Sequence, residues 1–216
     1  MTDFAKTNQN RIRRLPDRGH YDRDTIDPII DEALICHVGI VVDGQPVVIP
    51  TIHVRMGDEL VLHGAPASRL LKTIQAGHQV CVTITLVDGL VVARSAFNSS
   101  MNYRSVVVFG HGRLIDDDTE KLAALAALTE QLLPGRWQDV RPTTQQELDA
   151  TTVVAIAMES ASAKVRTGPP HDDEAAQALP IWAGVLPLRL QALQPIAEPE
   201  LSESINIPEY LTNYAR

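Results

Sequence analysis

Two short breaks constrain this chain more than any other feature. Asp43-Gly44-Gln45 separates the Val- and Ile-rich run 35–42 from the run 46–55, and Met56-Gly57-Asp58 separates the latter from the apolar residues 60–63. Connections of two or three residues permit only antiparallel neighbours, because a parallel crossover needs a dozen residues or more. Three strands in a row are therefore predicted. After one short helix, from Arg69 through Gln75, residues 79–87 and 90–95 flank Asp88-Gly89 and read as a hairpin, and residues 103–115 read as the longest strand. Six strands with a single helix between the third and fourth predict a mainly β chain with flanking helices. An antiparallel barrel or sandwich fits this better than alternating βαβ units.

The flanks are simpler. Residues 1–22 are polar and basic, with Arg11, Arg13, Arg14, Arg18 and His20, and predict an arm that is disordered or lies across a neighbour. Asp24 or Thr25 opens a helix to Ala33 whose Ile26, Ile29, Ile30 and Leu34 form one stripe, with Pro28 early enough to be tolerated. Asp116 to Thr119 opens an amphipathic helix that Pro134-Gly135 ends, read as packing rather than chemistry. A short helix over 143–150, a strand over 153–158 and a loop-rich region from Ser160 follow. The predicted organisation is an arm (1–22), a main domain with a helical and loop-rich C-terminal part (23–190) and a tail (191–216).

Composition excludes some classes. With 44% apolar and 21% charged residues the chain is of soluble globular type, and a net charge of −8 argues against nucleic acid or an anionic membrane as partner. No apolar run nears the roughly 18 residues of a membrane span. Residues 1–14 lack a signal-peptide core, and Cys36 and Cys81 sit in apolar runs as buried thiols, so a reducing cytoplasm is expected.

Chemistry-bearing patterns are few. The seven histidines show no ligand spacing on one helix and no adjacent cysteine, so no zinc site is expected. Walker, G-x-S-x-G and G-x-G-x-x-G signatures are absent, and Ser99 and Ser100 have no recognisable base and acid beside them. His53 and His63, on consecutive strand candidates, leave a haem or metal reading open. The strongest local feature is Ser68-Arg69 with Lys72 one turn on, directly behind the break Gly64-Ala65-Pro66. A helix start with a hydroxyl and two cations suits a phosphate, although a plain capped surface helix accounts for the same residues. Between Arg94 and Ser105 polar groups crowd two apolar strands. Ser100, Asn102, Tyr103, Arg104 and Ser105 could bond a heteroaromatic ligand, or form a solvated loop with Arg104 in an ion pair.

Taken together, Arg18-Gly-His-Tyr-Asp22, Val48-Ile-Pro-Thr51, His63-Gly with Ser68-Arg69, Ser100-Met-Asn-Tyr-Arg-Ser-Val106, and residues 162–170 with Trp182-Ala-Gly-Val-Leu-Pro187 resemble the flavin-binding split-barrel proteins related to pyridoxamine 5'-phosphate oxidase, in particular the Nim-type nitroimidazole-resistance branch. The resemblance runs from about Arg18 to Leu188. It implies a six-stranded antiparallel split β-barrel that forms a homodimer, with FMN in clefts between subunits; FAD or haem are the other cofactors. It places the isoalloxazine along Ile49, Pro50, Thr51 and Ile52, the phosphate on Ser68 and Arg69 with Lys72 standing in for the oxidases' lysine, and His63 near the ring as the candidate catalytic group. Ser105 falls at a flavin-contacting position, Lys164 lies in a shared motif, and Trp182 is similar to a tryptophan reaching in from the partner. The implied activity is electron transfer from a reduced nicotinamide-like donor to a small organic acceptor, a nitro compound among them. Flavin storage without catalysis, or haem binding on the same barrel, are the alternatives.

Overall fold

The computed structural model describes residues 2–214. It is mainly antiparallel β, with a few helices against the sheet. Asp22 caps α1 (Arg23–Glu32), its carboxylate accepting from the Thr25 amide at 2.8 Å, and the helix buries Ile26, Ile29 and Ile30. Next come β2 (Ile35–Val42), β3 (Gln45–Ile52), β4 (Val54–Met56) and β5 (Glu59–Gly64), then α2 (Arg69–Gln75), β6 (Gln79–Val92) and β7 (Ser100–Leu114). Helices α3 (Asp118–Leu132) and α4 (Gln145–Asp149) lead to β8 (Thr152–Ala157) and β9 (Ser160–Arg166); α5 (Glu174–Gln177), β10 (Gly184–Pro187) and α6 (Glu209–Thr212) complete the order. A two-residue β1 (Gly19–His20) precedes them all.

The predicted meander is present. Val42 faces Gln45 across Asp43-Gly44, which sit at φ 50° and 75°, the left-handed pair that a two-residue hairpin of matching twist requires. Met56 faces Glu59 across a second two-residue turn, Gly57-Asp58, in which Gly57 alone is left-handed at φ 62°. The run 46–55 is not one strand, however. It breaks at the fully buried His53, whose Nε2 lies 3.1 Å from the Ile30 carbonyl; β3 stays with β2 while β4 turns to pair β5. The sheet order is β3-β2-β6-β7-β8-β5-β4, so its two ends are consecutive in the chain and the sheet curls round to meet itself at His53 without a ladder there.

β7 makes that closure possible. Along one edge it pairs β9 from Tyr103 to Phe109 and then β8 from Gly112 to Leu114. At the change of partner a Cβ on Gly110 would stand 1.8 Å from the Ala157 carbonyl oxygen, and one on Gly112 2.1 Å from Ile74 Cγ2. β5 and β8 are buried on both faces. Leu60, Leu62, Val154 and Ile156 point into the main core with α1 and α2, while Val61, Val153 and Ala155 point to a second cluster under α3 with Ala124 and Leu128.

Several expectations are corrected. Asp88-Gly89 is no hairpin turn: β6 runs on through it to Val92, with a register shift between Val87 and Gly89, and residues 90–91 pair Met101 and Ser100. Gly89 is needed because β10 packs there, its Leu186 carbonyl 2.9 Å from where a Cβ would be, and the Asp88 carboxylate bonds Arg104. Ser100 and Asn102 are therefore strand residues, and the loop-rich region from Ser160 contributes β9 and β10. Ten strands, not six, occur among the described residues. Residues 2–22 of the predicted arm fold onto their own chain: Asn10 is buried and donates to the Ala161 carbonyl at 3.0 Å, and Tyr21 OH accepts from the Ile12 amide at 2.9 Å.

Gly110→Ala is expected to lower unfolding stability by about 3 kcal/mol or more, since the obstacle is a backbone carbonyl. Gly39→Ala, whose nearest atom would be at 3.4 Å, should cost far less in the same urea titration.

Candidate functional site

The residues singled out by the sequence fall into three places. The first is the open edge of β3, which pairs β2 alone and leaves its other edge free, carrying Ile49, Pro50, Thr51 and Ile52. Pro50 suits such an edge because it has no N–H to offer a ladder. At the far end of β3, Ile52 meets His63 of β5 in a cavity of about 360 Å³, closed by Leu125, Leu128, Thr129 and Leu132 of α3 and by Trp137. The Nδ1 atom of His63 is buried and without a hydrogen-bond partner. Burial holds the imidazole's pKa below the ordinary histidine value, so the ring is neutral at physiological pH. A neutral imidazole keeps one ring nitrogen able to accept or to ligate a metal and the other able to donate. His53 is different, since it sits in the core against Ile30.

The second place is a cavity of about 420 Å³ where α2 meets the β2–β3 turn, lined by Arg69, Lys72, Thr73 and His78 together with Val41 and Asp43. Ser68 caps α2, accepting from the Leu71 amide at 3.4 Å. Among the described residues neither Arg69 nor Lys72 makes an ion pair with a carboxylate.

The third place is the β7–β9 ladder. Ser105 faces Lys164 and its Oγ donates to the Lys164 carbonyl at 3.3 Å. Asn102 is buried, donates to the Gly168 carbonyl at 3.2 Å and accepts from Arg166, itself buried. Tyr103 faces Arg166 across the ladder, while Ser100 is exposed at the start of β7. Arg104 is fully engaged: it grips Glu32 and Asp88, both of which raise its pKa further. Trp182 stands 67% exposed beside Gly184, away from His63 and Arg69 in the cavities they line. No group of three or more His, Cys, Asp or Glu among the described residues could hold a bare metal ion.

Residues 22–165 match the family model described as pyridoxamine 5'-phosphate oxidase. The chain belongs to that family. Among solved structures, the flavocytochrome Anf3 of Azotobacter vinelandii is 39% identical, with a TM-score of 0.89 over 95% of this chain and 96% of that one. The FAD and haem binding protein of Mycobacterium smegmatis is 36% identical, with a TM-score of 0.86 over 90% of this chain and 96% of that one. A chain described as a 5-nitroimidazole antibiotic resistance protein, from Bacteroides thetaiotaomicron, is 26% identical, with a TM-score of 0.58 over 68% of this chain and 86% of that one. No curated protein sequence matches. The resemblance to the flavin-binding split barrel and to its Nim-type branch is thereby borne out.

Within this family fold, the sequence reading missed the part played by α3. Its Leu125, Leu128 and Leu132 read as packing, because an apolar helical face looks the same whether it covers a core or lines a cavity. Arg166 was also passed over; the only signal was its place in the motif 162–170.

Because His63 resists protonation when folded, the unfolded chain binds its proton more readily as pH falls below about 6.5, and stability is lost over that window. His63→Gln is expected to flatten the pH dependence of thermal unfolding between there and mildly acidic pH. Identical slopes for both proteins would show that His63 is not shielded.

Proposed function

We propose that the protein is a flavin-binding redox protein that also seats a haem. The carrying observation is that His63, whose Nδ1 is buried without a hydrogen-bond partner, lines a cavity with Leu125, Leu128 and Leu132 at the end of the open β3 edge. The two relatives above 30% identity, described as a flavocytochrome and as an FAD and haem binding protein, support the pairing.

The residues divide the work. His63, neutral at physiological pH, is the side chain that would hold a haem iron, and Leu125, Leu128 and Leu132 would pack against the macrocycle. The β3 edge from Ile49 to Ile52 offers unpaired backbone groups to a flavin ring, and Arg69 with Lys72 offers uncompensated positive charge to its phosphate. FAD is preferred to FMN on the strength of the mycobacterial relative. A bound flavin and haem would supply the means to pass electrons from a two-electron donor, such as a reduced nicotinamide, to a small organic acceptor such as a nitro compound. The chain's own part would be to set the two sites at opposite ends of β3, with Arg69 and Lys72 near its start and His63 near its end. The working form is a homodimer, as the family resemblance implies, in the reducing cytoplasm that the buried Cys36 thiol suits.

A visible spectrum of the purified protein, before and after addition of FAD, FMN and haem, tests the proposal. A Soret band that His63→Ala abolishes while flavin bands persist is expected. A flavin spectrum with no Soret band after haem titration would leave a flavoprotein alone, and failure to take up either would end both readings. Arg69→Ala is expected to weaken flavin affinity about 10-fold or more with the Soret band intact, from the loss of one charge-assisted phosphate contact. Unchanged affinity would place the phosphate elsewhere.

A further inference from the structure

Beyond β10 the chain does something the barrel does not need. Leu188 is fixed by its amide, which donates to the Asp88 carbonyl at 3.0 Å, and Tyr210 of α6 is fixed by its hydroxyl, which accepts from Arg136 at 2.9 Å. Between these anchors the 19 residues 189–207 form an arch without helix or strand, and all but Pro195 are exposed. The exposed residues are not those of a solvated loop. Leu190 is 71% exposed, Leu193 83% and Ile196 97%, at three-residue spacing. Residues 188–197 also lack an acidic side chain and carry one basic residue, Arg189.

A second uncovered apolar surface starts where the arch starts. The register puts Leu186 of β10 beside Leu90 of β6 and Leu90 beside Met101 of β7, so one row crosses three strands. These side chains are 54%, 39% and 41% exposed, and Val92 on the same face is 37% exposed. A contiguous apolar row of this kind is unusual on a surface that stays wet. Leu188 joins the two surfaces, and yet the arch does not fold back on the row beside it.

We propose that residues 189–207 of each chain lie across the Leu186–Leu90–Met101 row of a second copy, so that two arms are exchanged about a two-fold axis near Leu188. The occupant follows from reciprocity. One chain carries both halves of an apolar contact, adjacent and both uncovered, and a two-fold exchange covers both at once and closes without leaving a free end. The size is right as well, because 19 residues per arm together with the row approach the roughly 20–30 residues a side of a stable interface. The proposal rests on the homodimer stated above and adds the element that holds it.

The test uses the full chain with Leu190, Leu193 and Ile196 all changed to Ser, which leaves both anchors in place. Since the three side chains touch little of their own chain, the thermal unfolding of the monomer should not move. Sedimentation equilibrium is expected to show a dimer for the natural chain and a dissociation constant about 100-fold or more higher for the triple variant. A photo-crosslinker at Leu193, in a mixture of tagged and untagged chains, should join the two species. A natural chain that is monomeric at micromolar concentration would overturn the dimer itself. A dimer of unchanged affinity in the triple variant, with crosslinks only within a chain, would overturn the arm exchange and leave the dimer standing.

Discussion

The fold depends on one close approach. β7 changes partner at Gly110, and it can do so only because a backbone carbonyl of Ala157 occupies the volume a side chain would take. Without that step β7 would keep β9 along its whole edge and the sheet would stay open. With it, β8 is led away to β5 and then β4, and the path returns to the residue after β3. Gly112 repeats the requirement against Ile74 of α2, so the helix that carries Arg69 and Lys72 is seated by the same stretch that closes the sheet.

Closure has a price for β5 and β8, which lie between two apolar clusters and must be apolar on both faces. That is why His63 matters. It sits at the half-buried end of β5, and its Nδ1 is buried there without a hydrogen-bond partner. An orphaned buried nitrogen costs stability unless something is bound to it, and a neutral ring is the form that binds metals or donates to a ring acceptor. The cost and the proposed use are the same feature seen from two sides.

Much of this was legible in the sequence where local chemistry decides the outcome. Asp43-Gly44 specifies its turn by the left-handed angles it tolerates, Ser68 caps the helix that follows it, and β2 and β7 show their apolar runs, whereas α1 is capped by Asp22 and not by the expected Asp24 or Thr25. The misreadings share a cause. Asp88-Gly89 has the residues of a hairpin turn, but its glycine answers to the approach of β10 almost a hundred residues later, and its aspartate to Arg104. Ser160–Arg166 is too rich in Ser, Ala and charge to read as a strand; what makes it one is the free edge of β7 and the pairing of β1 on its other side. The site divides in the same way. Ser68, Arg69 and His63 stand out by type and spacing, whereas the wall supplied by α3 exists only once the helix is laid against β5 and β4.

Charge distribution gives the remaining argument for the cationic cavity. The chain carries 27 acidic residues against 19 basic ones, so carboxylates are in surplus and a cation need not go without. Arg23, Arg55, Arg94, Arg104, Arg113 and Arg141 each find at least one, and Arg23, Arg55, Arg104 and Arg113 find two. Arg69 and Lys72 have none, which is equally true of Arg11, Arg13, Arg14, Lys121 and Arg189 among the described residues; what sets the first two apart is that they line one cavity together, with Asp43. Arg166 is the deeper case, buried against the Asn102 amide, with Arg18 near enough to add its repulsion to the desolvation that lowers its pKa. In a protein of net charge −8, cations left unpaired beside a cavity focus the local field against the sign of the whole, so an anion is drawn to that face and repelled from most others. A flavin phosphate arriving at α2 would supply the countercharge that the folded chain withholds there.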